Sequence, residues 1–462
     1  MSAPFIWIGL PAAAAILLLV LNRWNRSTAA IAAVFAMLLA ISAVVIPIGQ
    51  EIFLGPFAFQ VRNSFSFFGR LIVIQPSDVP VLAIVFAGAA VWNGGTYLAR
   101  ASRYFPAVSI GISGLLVAAL TVQPFIYSAM VIELIALACV PLLVTQGQRV
   151  GKSVLRYITF LTLGMPFILF VGWMLSGTEE NLATGNIAAL HASMLLLVGF
   201  MFLLAVFPVH SWVPTLMQET QPYSAAFVIF FITQAALFFA RGIILQYPWV
   251  NQSADLWPVL RGAGLFIITI NGVWLAFQRD LGRIFGFMLL AETGYSLLTL
   301  GLLQNGTSAI FIALLITRML AAAIWAYSLA QLYQKHGSLA FNELVLNNPI
   351  NPWIIAGIVL SQLSLLGMPL LASFPVKLAL FGRLAGENAL FYFWIGIGIT
   401  GALVIVLRSL QVLSQQHGLG ENPPWPERRF ELLPIWSGLI ILFFFGLFPG
   451  LLLSGMLSLI SR

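Results

Sequence analysis

The sequence has very little charge for its length. Of 462 residues, 21 are Lys or Arg and 14 are Asp or Glu, so charged residues make up 8% of the chain and hydrophobic residues 61%. A soluble globular domain is about 25% charged, and a long soluble chain needs a polar surface to stay in solution. The composition therefore excludes a soluble enzyme, a disordered chain and a nucleic-acid-binding protein. The net charge of +7 does not indicate a polyanionic partner, because the basic residues lie mostly in short loops.

Cysteine and the common catalytic motifs are also scarce. Cys139 is the single cysteine, which excludes an intrachain disulfide, a structural zinc site and an iron–sulfur cluster. The sequence has no GxxxxGK[ST] phosphate loop, no dinucleotide fingerprint, no HExxH and no GxSxG. We therefore expect no cofactor in this chain. It should move something across a membrane, or support a complex that does, without carrying electrons itself.

Long apolar runs are what the sequence does have. A bilayer core of about 30 Å requires about 20 apolar residues per helix, and such runs recur along the whole chain. They predict an all-α polytopic membrane protein of about fourteen transmembrane helices in one membrane domain. The first run lacks a cleavage pattern and is interpreted as a retained helix. The predicted spans are 4–22, 28–48, 79–98, 105–122, 124–145, 154–176, 188–208, 222–244, 256–277, 284–303, 307–333, 350–372, 387–409 and 433–455.

The distribution of Lys and Arg between alternate loops predicts the orientation. One side receives 13 of these residues and the other 6, and the richer side should face the cytoplasm. Both termini are then outside, as is the acidic pair Glu179-Glu180. The loop 49–78 is expected to form a small external hairpin. The segment 410–432, with its proline-rich stretch 423–426, is expected to be a cytoplasmic linker.

Five ionisable residues fall inside or at breaks in the predicted spans, where a charge is costly. They are candidates for function, and each also has a structural explanation. A carboxyl can be protonated and bonded to a neighbouring helix, an arginine can form a structural ion pair, a lysine can snorkel to the interface, and a histidine can cap a helix end. The residues are Glu133, His210, Glu292, Arg318 and Lys377.

Two proline-marked breaks have the same spacing. Pro208 and Pro214 interrupt the seventh span, and Pro369 and Pro375 the twelfth. Glu133 and Glu292 also lie five spans apart, which predicts two inverted five-helix repeats with broken helices 7 and 12. The expected organisation is helices 1–3 in 1–104, a first repeat in 105–245, a second in 255–410, and a linker with the last helix in 411–462.

Four stretches carry a resemblance to a known family. Phe207-Pro-Val-His-Ser-Trp-Val-Pro is similar to the PFHxWxP stretch of the antiporter-like subunits of respiratory complex I. Leu155-Arg-Tyr resembles their KY pair. The segment 280–287, with Gly294-Tyr295, resembles LKRLLAYSS…GY, and 365–377 resembles LxGxPPxxGFxxK. The resemblance covers about residues 105–410 in order and is greatest to the N-type subunit; related subunits occur in membrane-bound hydrogenases and multisubunit cation/proton antiporters.

The resemblance implies a subunit of an NADH (or other donor):quinone oxidoreductase in the bacterial inner membrane. Such a subunit translocates protons through mid-membrane charges while electron transfer and quinone chemistry occur in neighbouring membrane subunits. It implies that Glu133 is the conserved glutamate of the fifth helix, that Lys377 is the terminal lysine, and that Arg156 stands at a lysine position. Proton-pathway candidates are then Glu133, Arg156, His210, Glu292, Arg318 and Lys377.

The sequence departs from this pattern at two lysine positions, which hold Leu203 and Thr233. Three alternatives stay open. The proton path runs through water, Glu292 and Arg318; or Arg156 replaces the missing lysine as the partner of Glu133; or the subunit is a non-conducting structural element. Membership of a cation/proton antiporter or a membrane-bound hydrogenase is a further alternative.

Overall fold

The computed structural model describes residues 2–22, 25–54, 57–67, 69–144, 150–175, 187–252, 255–346, 350–415, 429–451 and 454. Within this part the chain is mostly helical. The predicted positions of Arg149, Glu179-Glu180 and most of the proline-rich linker lie outside the described residues. The helices are α1 (Leu10–Val20), α2 (Asn25–Val45), α3 (Val79–Thr96), α4 (Phe105–Thr121), α5 (Ser128–Leu143), α6 (Lys152–Leu175), α7 (Ile187–Leu203), α8 (Trp212–Glu219), α9 (Pro222–Gln246), α10 (Pro248–Asn251), α11 (Leu256–Ala276), α12 (Leu281–Leu300), α13 (Ser308–His336), α14 (Phe341–Leu346), α15 (Pro352–Leu366), α16 (Ser373–Arg383), α17 (Ala389–Ser414) and α18 (Arg429–Leu447).

Eight helices of the described chain are long and apolar enough to cross a membrane, and five shorter ones are apolar over 10–17 residues. The chain is therefore a multi-span membrane protein. Many large apolar side chains are exposed, for example Val20 at 77% and Ile440 at 68%, as expected for surfaces that face lipid rather than water. The total of fourteen crossings stays a prediction.

The loop 49–78 forms two hairpins instead of the one expected. Strands β1 (Glu51–Leu54) and β2 (Phe57–Gln60) pair antiparallel, with Glu51 opposite Gln60. Strands β3 (Ser64–Phe67) and β4 (Arg70–Val73) also pair antiparallel. The short strand β5 (Val122–Gln123), from the connection between α4 and α5, adds to β4. This three-stranded sheet ties the loop to the ends of the helix bundle.

Two breaks interrupt otherwise helical segments at the prolines. After α7 ends at Leu203, Ala205 has a φ of +49°, and a short 3₁₀ turn precedes α8. After α15 ends at Leu366, Gly367 has a φ of +85°. Proline has no N–H for the helical ladder and clashes with the preceding turn, so the helix ends before Pro208 and before Pro369.

The centre of the molecule is α12 and α13. Nearly every residue of α12 is buried, and so is most of α13. Glycine permits a close approach beside them, since a Cβ at Gly272 of α11 would lie 2.2 Å from the carbonyl oxygen of Gly398 on α17. Polar groups of α12 and α13 lie beside the second helix break.

Candidate functional site

Three charged side chains from three helices meet at the second break. Lys377 Nζ of α16 lies 2.6 Å from Glu292 Oε1 of α12, and Arg318 Nε of α13 lies 3.6 Å from Glu292 Oε2. Lys377 is 3% exposed, Glu292 is 2% exposed and Arg318 is 1% exposed. Sequence reasoning singled out all three residues but did not predict that they form one cluster. We call these three residues the charge triad.

The helix break supplies part of the site. The last carbonyls of a helix have no intrahelical donor, and the Leu365 carbonyl at the end of α15 accepts a hydrogen bond from Lys377 Nζ. The C-terminal end of a helix also favours a nearby cation. Two features favour glycine at position 367. Its φ is +85°, and a Cβ at this position would lie 2.8 Å from Lys377 Cδ. The break therefore holds the lysine deep in the protein.

Neutral groups of α12 complete the surroundings. Lys377 Nζ lies 3.8 Å from the centre of the Tyr295 ring, a distance at which a cation is attracted to the ring face. Arg318 donates to the Ser296 hydroxyl and to the Glu292 carbonyl. Thr293, next to the glutamate in sequence, donates to the Leu290 carbonyl.

The triad contains one acid and two bases. A lone buried charge costs several kcal/mol, so the single carboxylate stabilises both cations. Arginine does not lose its proton in proteins, whereas a lysine in a low-dielectric site can do so. If Lys377 releases its proton to water, a neutral amine remains beside a Glu292–Arg318 ion pair. The arrangement can therefore hold or release one proton at Lys377.

Glu133 has a different environment. It lies on α5, is half-buried, and Oε1 accepts a hydrogen bond of 2.8 Å from Thr162 on α6. Its other oxygen, Oε2, is buried and has no hydrogen-bond partner among the described residues. The carboxyl thus faces protein, as expected, but through a hydroxyl rather than a cation.

Direct pairing of Arg156 with Glu133, one of the alternatives left open by the sequence, is not seen in the described part of the chain. Among the ion pairs of the described chain, none joins the two residues. Thr162 is the α6 residue beside Glu133, and Arg156 lies six residues earlier, or about 9 Å along the helix. Its side chain is exposed.

His210 lies in the turn between α7 and α8. In the described chain it is not part of the hydrogen-bond network of the charge triad. Its ring is half-buried between those of Phe207 and Phe287, with centroid distances of 5.5 and 6.0 Å. Nδ1 is buried without a partner among the described residues. The missing lysine position upstream, Leu203, is 1% exposed and fills an apolar contact near Gly164 of α6.

Two buried glutamines were missed from the sequence. Gln234 of α9 is 4% exposed, and Gln362 of α15 is 0% exposed. In both, the amide nitrogen and oxygen lack partners within the described chain. Buried amides normally bind protein or water, so these positions are suited to internal water. Their signal in the sequence is an uncharged amide within an apolar helix, which a search for charges overlooks.

Comparisons with known proteins identify the family to which the chain belongs. Residues 130–403 match a family profile described as "NADH:quinone oxidoreductase/Mrp antiporter, TM". The chain is 24% identical over 281 residues to NADH-quinone oxidoreductase subunit N of Cytophaga hutchinsonii, covering 60% of each protein. It is 25% identical over 369 residues to subunit N 2 of Acidobacterium capsulatum, covering 73% of this chain and 74% of that protein. Alignment to the first thus spans less than two thirds of its length.

The fold is shared with solved membrane complexes. A chain of respiratory complex I from Thermus thermophilus with bound NADH has a TM-score of 0.80 at 16% identity, covering 99% of this chain and 98% of that one. A chain of the Mrp complex from Dietzia sp. has a TM-score of 0.77 at 15% identity, with coverage of 99% and 95%. Because the family profile matches more than half of its residues, the chain belongs to the NADH:quinone oxidoreductase/Mrp antiporter family of membrane proteins.

Proposed function

We propose that the chain is a membrane-arm subunit of a complex I-type donor:quinone oxidoreductase, located in the bacterial plasma membrane. It translocates protons, while electron transfer and quinone chemistry belong to neighbouring subunits. The observation that carries this proposal is the charge triad. A buried lysine bonded to a helix-end carbonyl and a carboxylate is costly to maintain, and it provides a protonation site within the membrane domain. Family membership and the subunit N relatives support the same assignment.

The proton-exchanging residue of this proposal is Lys377. Arg318 keeps its charge and repels an excess proton on its side of the triad. Gln362 lies three residues before Leu365, so the two are neighbours on the surface of α15, and the Leu365 carbonyl accepts from the lysine. Water bound by the Gln362 amide provides the connection to Lys377. Glu133, Arg156 and His210 lie in the first predicted repeat, residues 105–245. We propose an accessory role for them in proton transfer.

The proposed topology has fourteen crossings. The eight long helices, the five shorter apolar ones and α12 account for that number. The five-span separation of Glu133 from Glu292, and that of the break at Pro208 from the break at Pro369, support the proposal of two inverted five-helix repeats. The bias of Lys and Arg puts both termini outside.

The test is proton pumping per electron in vesicles that contain the assembled complex. Lys377→Met and Glu292→Gln should each lower the ratio of protons translocated to electrons transferred. Lys152→Met and Glu343→Gln, at exposed positions, should leave that ratio unchanged. If both triad variants assemble normally and pump at the wild-type ratio, the subunit is a non-conducting scaffold and the proposal is wrong.

A cation/proton antiporter subunit is a second candidate, favoured by the structural likeness to the Mrp complex chain over 99% of this chain. It predicts proton flux that depends on sodium or potassium and needs no quinone. Vesicles energised by a cation gradient, with quinone reduction blocked, distinguish the two candidates. Flux under these conditions supports antiport, and its absence supports the redox-driven pump.

A further inference from the structure

A second polar site is formed by residues that do not belong to the charge triad. A cavity of about 360 Å³ opens where the three-stranded sheet meets the ends of α3, α4 and α9. Its polar lining includes Gln75, Asp78, Thr121, Gln123 and Arg241. Small-molecule sites commonly have volumes of about 300–1,000 Å³, so this cavity has room for a small polar group.

One acid and one base line this cavity without pairing directly. Asp78 and Arg241 are both half-buried, and the described residues show no ion pair between them within 4 Å. Asp78 Oδ2 accepts a hydrogen bond of 2.9 Å from the Gln75 backbone nitrogen. Arg241 Nε is buried and has no partner in the described chain. Because Arg241 lines the cavity, its guanidinium group is a hydrogen-bond donor that a ligand there can use.

The rim of the cavity combines polar and apolar surface. Gln75, Ser77 and Gln246 are exposed polar residues on it. Leu245, on the same rim, is 52% exposed. A ligand that is polar at one end and apolar at the other matches this rim.

We propose that the cavity binds the headgroup of an aminophospholipid, a zwitterion with a phosphate and a primary ammonium. Arg241 donates to the phosphate, and Asp78 accepts from the ammonium, while the acyl chains run over Leu245. An anion alone would be repelled by Asp78, and a cation alone by Arg241. A zwitterion satisfies both charges, and a primary ammonium donates hydrogen bonds that a quaternary one does not.

The test measures lipid retention by native mass spectrometry. The full-length chain is purified with its co-purifying partners and exchanged into detergent with equal amounts of phosphatidylethanolamine, phosphatidylcholine and phosphatidylglycerol. The wild type should retain phosphatidylethanolamine preferentially. Arg241→Gln and Asp78→Asn should each reduce that retention about tenfold, the effect of losing one charge-assisted hydrogen bond. Arg261→Gln is the matched control, because Arg261 pairs instead with Glu387 at 3.3 Å.

Each outcome decides the proposal. Equal retention of phosphatidylglycerol, or loss with Arg241→Gln but not with Asp78→Asn, identifies an anion site and overturns the zwitterion assignment. Equal retention of phosphatidylcholine overturns recognition of the primary ammonium. Competition among the three lipids on the unaltered protein remains decisive if a variant does not assemble. A further arm adds soluble phosphoethanolamine: displacement of the lipid supports headgroup recognition, and no displacement at millimolar concentration overturns it.

Discussion

The charge triad predicts an unequal response to removal of its members. Glu292→Gln removes the carboxylate that lies 2.6 Å from Lys377 and 3.6 Å from Arg318. At an effective dielectric constant of about 20, these contacts correspond to gross attractions of about 6 and about 5 kcal/mol. Part of that attraction offsets desolvation of the charges, so the expected net loss is about 3–5 kcal/mol. Lys377→Met and Arg318→Met each leave one ion pair and should cost less.

The double variants show which cation is responsible for that loss. In Glu292→Gln, the lysine can become neutral by losing its proton, but the arginine cannot. Glu292→Gln with Arg318→Met should therefore recover most of the stability. Glu292→Gln with Lys377→Met should recover little, because the arginine still lacks an anion. We expect a coupling energy of about 2–3 kcal/mol between Glu292 and Arg318, and under about 1 kcal/mol between Glu292 and Lys377.

The assay is hydrogen–deuterium exchange of α12, α13 and α16 peptides in the assembled complex, which reports local opening free energies. The single glutamate variant should exchange faster by roughly a hundred- to several-thousand-fold, corresponding to the expected loss. Glu343→Gln is the control at an exposed position. Equal rescue by both double variants, or no loss in Glu292→Gln, would refute the argument that a permanently charged arginine sets the cost.

Three smaller perturbations test individual contacts. Gly367→Ala should destabilise the break by at least about 1 kcal/mol and lower pumping. Gly306→Ala is the control: Gly306 has a φ of +73° but no atom within 4 Å of the added Cβ, so this variant should show only the backbone cost. A similar pumping loss in both variants would exclude the Lys377 contact as the cause. Tyr295→Leu should remove about 1–2 kcal/mol of ring–cation attraction, measured by exchange of α16, and Tyr295→Phe should retain it. Thr162→Val should cost about 1.5 kcal/mol through its lost hydrogen bond, measured as faster exchange of α5; unchanged exchange would show that solvent replaces the hydroxyl.

The sequence allowed the helices and their breaks to be located because the signals are local. An apolar run long enough for the bilayer predicts a helix, and a proline predicts its end. The described helices overlap each of the predicted spans, although α5 begins at Ser128 and not near 124, since the preceding residues form β5 and a 3₁₀ turn. Short irregular segments of this kind depend on tertiary contacts that no local pattern records.

The composition of the site was partly predictable, and its connectivity was not. Scarcity of charge made Glu292, Arg318 and Lys377 conspicuous as individual residues. Their contact requires α12, α13 and α16 to converge, and those positions are separated by 26 and 59 residues along the chain. Gln234 and Gln362 passed unnoticed because amides carry no charge, although an unpartnered buried amide is also costly.

The two halves of the chain use their polar groups in physically different ways. Around Glu133, the described partner is a hydroxyl, and Leu203, where the family resemblance implies a lysine, makes an apolar contact near Gly164. Around Glu292, two cations share one carboxylate, and one of the cations can change its protonation state. A proton moving along α9 toward the triad would approach Arg318, whose positive charge is permanent. Under the proposed function, the arginine separates the halves electrostatically, and we expect proton exchange at Lys377 from the α15 side, where Gln362 lies and where the Leu365 carbonyl accepts from the lysine.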